Sequence, residues 1–240
     1  MTLKKLTREV WRANLDLVKG GLVIQTWGNA SGIDRARGLM VIKPSGVAYE
    51  RLKAEDMVLV ALDTGKVVRG KMRPSSDTPT HLELYRAFSE IGGIVHTHSF
   101  AATAWAQTRR HLPALGTTHA DYFHGSVPCT RLLRTAEIQK DYELSTGRVI
   151  VEAFARRDPM ACPAALVANH GPFTWGKTVT EAVHHAVVLE HLVRLAAETL
   201  RIFPSAKPVQ QVLLEQHFFR KHGPGASYGQ APGARKRRKQ

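Results

Sequence analysis

The apolar residues in the first half of this chain come in short runs, each soon cut off by glycine, proline or a polar cluster, and that punctuation restricts them to short strands. The runs are Leu22 to Thr26, Leu39 to Ile42, Met57 to Leu62, Lys66 to Val68 and Ile91 to Thr97. Asp63, Thr64 and Gly65 supply a turn between the third and fourth. Such close, turn-rich succession predicts antiparallel pairing. Further along, Arg148 to Phe154 and Ala164 to Ala168 predict two more strands, the second running out in Asn169, His170, Gly171 and Pro172.

Helical periodicity accounts for most of the rest. Residues 4 to 19 space Leu6, Val10, Leu15, Leu17 and Val18 among charges, and Gly20 and Gly21 end that helix. Thr78 reads as the cap of a second helix with Pro79 in its first turn, closed by Gly92 and Gly93. A short alanine-rich helix is expected from Ser99 to Gln107, and a long loop over residues 114 to 130. The clearest buried stripe lies in Thr180 to Phe203, and Leu213 to Arg220 predicts one more helix. The fold class expected is α/β: one domain with a central mixed or mainly antiparallel sheet flanked by helices. It spans residues 1–230, and residues 231–240 form a basic tail.

Composition narrows the classes further. With 240 residues, 43% of them apolar, the chain can bury roughly 70 to 75% of its unfolded surface, which excludes a disordered protein. Two cysteines, Cys129 and Cys162, do not make a disulfide framework and read as reduced thiols in packed positions. No apolar run approaches the roughly 18 residues that span a bilayer, and the first residues lack an apolar signal core. A soluble cytoplasmic protein with no membrane partner is the expectation. Of the net charge of +14, Arg235, Lys236, Arg237, Arg238 and Lys239 carry five, after a flexible lead-out from Gly229 to Ala234. The remainder suits phosphorylated small molecules as well as nucleic acid. Aromatic platforms along a basic face are missing, so nucleic acid is not the expected partner.

Chemistry concentrates where apolar runs end. His96 and His98 are two apart, and strand periodicity places alternate side chains on one face, where two imidazoles can converge on one ion. His170 ends another apolar run. Imidazole ligands favour zinc or a neighbouring divalent transition metal over magnesium. Asp77 is the natural carboxylate candidate, or else a helix cap. His81 is either a support for the ligands or a histidine on a helix surface. Three short segments offer anion-binding groups: Gly28 and Asn29; Lys43, Pro44, Ser45 and Gly46; Pro74, Ser75 and Ser76. Amides freed by glycine, hydroxyl donors and one ammonium are what a terminal phosphate requires.

Six segments together are recognisable: TWGNASGIDR at 26–35, IKPSGV at 42–47, PSSDTPTH at 74–81, GGIVHTHS at 92–99, GTTHADYF at 116–123 and NHGPFTWG at 169–176. In these the chain closely resembles the class II, zinc-dependent family of sugar-phosphate aldolases and epimerases, over everything but the basic tail. The resemblance implies a C4-symmetric homotetramer with active sites between subunits, one zinc ion per site with manganese or cobalt able to replace it, and a sugar-phosphate substrate. Carried over motif by motif, the metal ligands would be Asp77, His96, His98 and His170. The phosphate pocket would be Asn29, Lys43, Ser45, Gly46, Ser75 and Ser76. Asp121 and Tyr228 match the family's acid/base positions, Tyr228 arriving from a neighbouring subunit. Asp77 in place of the aldolases' glutamate, with the HADYF segment, implies epimerisation: interconversion of L-ribulose 5-phosphate and D-xylulose 5-phosphate by cleavage of C3–C4, rotation of the aldehyde and re-addition. The extension beyond Gln230 and the segment Arg156 to Pro163 depart from the family pattern.

Overall fold

The structure is a computed structural model that describes residues 2–223 and Ala226. Tyr228 and the tail at 231–240 lie outside the described residues. In chain order the elements are α1 (Leu3–Lys19), β1 (Asn29–Asp34), β2 (Leu39–Ile42), β3 (Val58–Ala61), β4 (Val67–Arg69), α2 (Thr78–Ala87), β5 (Gly93–His96), α3 (Phe100–Gln107), α4 (Thr117–Ala120), α5 (Thr135–Ala153), β6 (Ala164–Val167), β7 (Gly171–Gly176), α6 (Val179–Ile202) and α7 (Gln211–His222). The strands form one sheet in the order β4-β3-β2-β1-β5-β7-β6. Every neighbouring pair is antiparallel.

Strand alternation divides the core between the two faces of the sheet. Met40, Ile42, Val58, Val60 and Ile94 turn to the face covered by α2, α3 and α5, while Val41, Leu59 and Val95 turn to the face covered by α1. Helix α6 serves both faces: Val179, Ala182, Val183 and Ala186 pack with α1, and Leu189, Leu192, Val193 and Ala196 with the other cluster. A stripe long enough to do this explains why α6 was the clearest helix in the sequence.

Two buried polar side chains hold the frame around the centre of the sheet. Asn14 of α1, fully buried, donates from Nδ2 to the Ala30 carbonyl at 3.1 Å and accepts from the Ala30 amide at 2.9 Å. It acts as a short piece of neighbouring strand for β1. Glu190 of α6 accepts from the amides of Ala101 and Ala102, each at 3.0 Å, and so caps α3 from outside. Burial by itself would raise the Glu190 carboxyl, but these amides and Arg194 outweigh it and hold it below the usual range.

The sequence expectations need four corrections. Leu22 to Thr26 is not a strand: Leu22 is buried, but Ile24 and Trp27 are exposed, Gln25 has a φ of 55°, and pairing starts only at Asn29. Arg148 to Phe154 belongs to helix α5. Its β-branched run matches strand preference, yet Ser145, Thr146, Val149 and Ile150 are buried at helical spacing, and packing against α2 overrides local preference. Gly147 permits that contact, since a Cβ there would lie 2.8 Å from Glu83 Cβ. Gly171 and Pro172, where the preceding strand is expected to run out, instead open the interior strand Gly171 to Gly176. The loop expected over 114 to 130 contains the short helix α4. Of the two cap candidates that the sequence offers α2, Asp77 rather than Thr78 takes the N-cap position. Among the described residues no helix is long and apolar enough to cross a membrane.

Replacing Asn14 with leucine keeps the branched outline of the side chain but leaves the Ala30 amide and carbonyl unpaired in the core. The expected loss is at least about 2 kcal/mol, read as a lower urea midpoint; an unchanged midpoint would show that Asn14 does not hold β1.

Candidate metal centre and anion cradle

A cavity of about 470 Å³ opens where β1 begins and β5 ends, lined by Asn29, Lys43, Ser45, Gly46, Ser75, Ser76, Asp77, His96, His98 and His170. The six proposed phosphate residues and the four proposed ligands therefore share one wall system. Strand register begins the arrangement, because Asn29 of β1 is paired with His96 of β5. Strand β5 stops at His96, so His98 stands in the following loop rather than on a strand face. The imidazoles converge nevertheless: the Nε2 atoms of His96 and His98 are 3.2 Å apart, and one ligand atom from each of His96, His98 and His170 lies within 4.8 Å of the others.

This donor set fits a divalent ion. Two bonds of ~2.1 Å at a tetrahedral angle span ~3.4 Å between nitrogens, close to the spacing found. His96 Nδ1 donates to the Pro172 carbonyl at 2.9 Å, which places the proton on Nδ1 and leaves the Nε2 lone pair facing the cluster. Burial, aided by the neighbouring histidines, pushes His96 and His170 down to about 3, and burial also lowers His98. Neutral imidazoles are the form that binds metal. Asp77 stands beside this trio with its Oδ2 accepting from Asn29 Nδ2 at 2.7 Å, and its charge opposes the lowering at His98 and His170. As the N-cap of α2 it makes no side-chain capping bond, so its carboxylate is left for the cavity. His81 is fully buried rather than on a helix surface, its Nδ1 2.7 Å from Ser31 Oγ.

The anion cradle is laced from two loops. The Ser45 amide donates to the Arg73 carbonyl and the Ser75 amide to the Lys43 carbonyl, both at 2.9 Å, which brings Ser45 and Gly46 beside Ser75 and Ser76. Gly46 has a φ of 68°, in the left-handed region that glycine adopts without strain. Lys43 is 1% exposed and no carboxylate pairs with it among the described residues. Its Nζ lies 4.8 Å from the centre of the Tyr49 ring and makes only long contacts, 3.4 Å, with the carbonyls of Thr26 and Pro44. Burial pushes its ammonium down to about 8, and an anion in the cavity would restore it.

Asp121 is not part of this wall. It follows α4 and ties α7 down, its carboxylate 3.0 Å from His217 Nδ1, 3.1 Å from Arg220 and 3.2 Å from Lys221. Burial would raise its carboxyl, but His217, Lys221 and Arg220 prevail and hold it below the usual range. Two cavity residues had no signal in the sequence, Tyr142 and Glu143, which α5 delivers to the mouth; the Tyr142 hydroxyl is 3.2 Å from His170 Nδ1. Trp27 also lines the mouth, its ring 6.1 Å from that of His98.

Comparison with known proteins points the same way. The class II aldolase and adducin N-terminal domain family matches residues 8–197. The chain is similar to the L-ribulose-5-phosphate 4-epimerases UlaF of Salmonella paratyphi B and Salmonella typhi, 56% identical to each over 228 residues, which covers 95% of this chain and 100% of each relative. Among solved structures it is similar to an L-fuculose 1-phosphate aldolase, with a TM-score of 0.76 and 25% identity over 90% of this chain and 96% of the other. The L-fuculose-1-phosphate aldolase of Thermus thermophilus is also similar, with a TM-score of 0.65 and 25% identity over 86% and 99% of the two chains.

Two outcomes are expected. His96→Asn should lose bound metal, measured by elemental analysis, while keeping its far-ultraviolet circular dichroism; full metal content would refute the ligand role. Because the folded His96 value lies below the ordinary 6.5, the unfolded chain takes up protons first as pH falls. Stability of the metal-free protein should be fully present above about pH 6.5 and decline toward pH 3, with a shallower decline in His96→Asn.

Proposed function

The chain belongs to the class II aldolase and adducin family, and on that premise we propose that it is an L-ribulose-5-phosphate 4-epimerase, interconverting L-ribulose 5-phosphate and D-xylulose 5-phosphate. The observation that carries this reading is the 56% identity to the UlaF epimerases over their whole length. The cavity supports it by joining a three-histidine cluster to a cradle suited to a phosphate.

The hydrogen on C4 of such a sugar has no adjacent electron sink, so direct deprotonation there is poor chemistry. Cleaving C3–C4 is the alternative: the proton leaves the C4 hydroxyl as the bond breaks, giving a two-carbon aldehyde phosphate and a three-carbon fragment. Rotation of the aldehyde and re-addition to its other face invert C4. His96, His98 and His170, with Asp77 beside them, would hold a divalent ion, zinc or in its place manganese or cobalt, which when bound supplies Lewis-acid stabilisation of the charge on the three-carbon side.

The chain's own residues account for retention. Lys43 meets the phosphate with a buried ammonium, and Ser45, Gly46, Ser75, Ser76 and Asn29 surround it with hydroxyl, amide and carboxamide groups. Because this grip does not involve C3 or C4, it persists while the bond is open, which separates an epimerase from an aldolase. Asn29 also holds the Asp77 carboxylate toward the cavity.

Asp121 and Tyr228 complete the proposal as the acid/base pair. Since Asp121 does not line the cavity of its own protomer, the reading requires a neighbouring subunit to present it, as in a C4 homotetramer with sites between subunits. Its carboxyl is held low by His217, Lys221 and Arg220, so at neutral pH it is ionised, the form that can accept the C4 hydroxyl proton, and release from those three partners would strengthen it as a base. Proton return on the opposite face then falls to Tyr228. In this reading residues 1–230 are the catalytic domain and residues 231–240 take no part in the chemistry.

Metal-loaded protein given L-ribulose 5-phosphate should form D-xylulose 5-phosphate and release little free aldehyde. No product from protein with bound metal would overturn the reading, and stoichiometric aldehyde would move it to an aldolase. Asp121→Asn should keep metal and lower kcat by roughly 100-fold or more. Lys43→Met should raise KM by roughly 10- to 100-fold, the worth of one charge-assisted hydrogen bond.

A further inference from the structure

The chain holds its metal-binding imidazoles by different means. His96 lies in a strand, with its Nδ1 against the Pro172 carbonyl. His170 lies on the turn between β6 and β7, after Asn169 at a φ of 61°, where no strand ladder restrains its ring. Its Nδ1 meets the phenol oxygen of Tyr142 at 3.2 Å, with ring centres 5.9 Å apart and planes 35° from parallel.

Tyr142 reaches that position because α5 is broken. Asp141, at φ −148° and ψ 71°, leaves the helical region in mid-element, and the next two residues, Tyr142 and Glu143, line the cavity. The chain is secured at once on the far side of the break: Thr146 Oγ1 donates to the Tyr142 carbonyl at 2.9 Å, and Thr80 Oγ1 of α2 donates to the Glu143 carbonyl at 2.5 Å. That second bond ties Tyr142 to the helix whose N-cap is Asp77, so the phenol is placed by the same body that places the carboxylate.

We propose that Tyr142 is a positioning residue for His170: its phenol oxygen accepts the Nδ1 proton, so that the ring turns its Nε2 lone pair toward His96 and His98. The inference rests on reading the three histidines as a metal site. The Pro172 carbonyl does for His96 what the phenol does for His170, and in both cases the acceptor on one nitrogen decides which nitrogen is left for the ion. A phenylalanine at 142 would fill the same space and leave the Nδ1–H without its acceptor.

The test is zinc affinity of the full chain, measured by competition with a chromophoric chelator. Tyr142→Phe should bind zinc roughly 10- to 100-fold more weakly, with the urea midpoint of the metal-free protein unchanged; unchanged zinc affinity would overturn the proposal. In the zinc-loaded wild-type protein labelled with 15N-histidine, His170 Nδ1 should carry a proton with a nuclear Overhauser effect to the Tyr142 ring. A His170 that ligates through Nδ1 would overturn the proposal without any variant. Failure of the wild-type protein to bind zinc at all would instead remove the three-histidine reading, a different outcome from either.

Discussion

The structure depends on the register of three adjacent strands. Asn29 of β1 is opposite His96 of β5, and His96 is opposite Phe173 of β7, so one row across the sheet carries a carboxamide, an imidazole and an aromatic ring. The Phe173 ring stacks on His96 with centres 4.1 Å apart, and the carbonyl of Pro172 takes the His96 proton. A slip of one residue in either pairing would turn His96 to the other face and end the site, because strand side chains alternate. Asn14 pairing with Ala30, next to Asn29, guards the same row from the helix side.

Around that row the protein buries groups that favour water. Lys43 gives up hydration without gaining a carboxylate partner among the described residues, and three imidazoles crowd together in their neutral forms. Buried polar groups of this kind cost free energy unless something satisfies them. A phosphate beside the ammonium and a divalent ion among the imidazoles are the two charges that would do so. The site thus carries a deficit matched in sign and position to a metal and a sugar phosphate.

Much of the site was legible because its residues sit in short, contiguous segments. The His96 and His98 spacing, the polar run through Ser75, Ser76 and Asp77, and the Lys43 to Gly46 turn each expose their chemistry locally, and all of them meet in one cavity. The errors have a shared origin. Arg148 to Phe154 is rich in β-branched residues but is held helical by packing on α2, and Gly171 to Gly176 carries strand-breaking residues yet is clasped between β5 and β6. Local preference is worth less than the burial a neighbour provides. Tyr142 and Glu143 carry no local signal for the same reason: their reach into the cavity follows from a helix break at Asp141 that no motif marks.

What the amino-acid order determined by itself is the donor chemistry: which imidazoles, carboxylate, ammonium and hydroxyls are present, and that they end apolar runs in an α/β chain. Those are properties of side chains and of short-range periodicity. Tertiary structure alone decided that His98 converges from a loop, that Tyr142 meets His170, and that Asp121 turns away from its own cavity to clasp α7. The last two are contacts between segments far apart in the chain, as is the approach of His98 to His170, and their free energy comes from packing and burial that no local window contains.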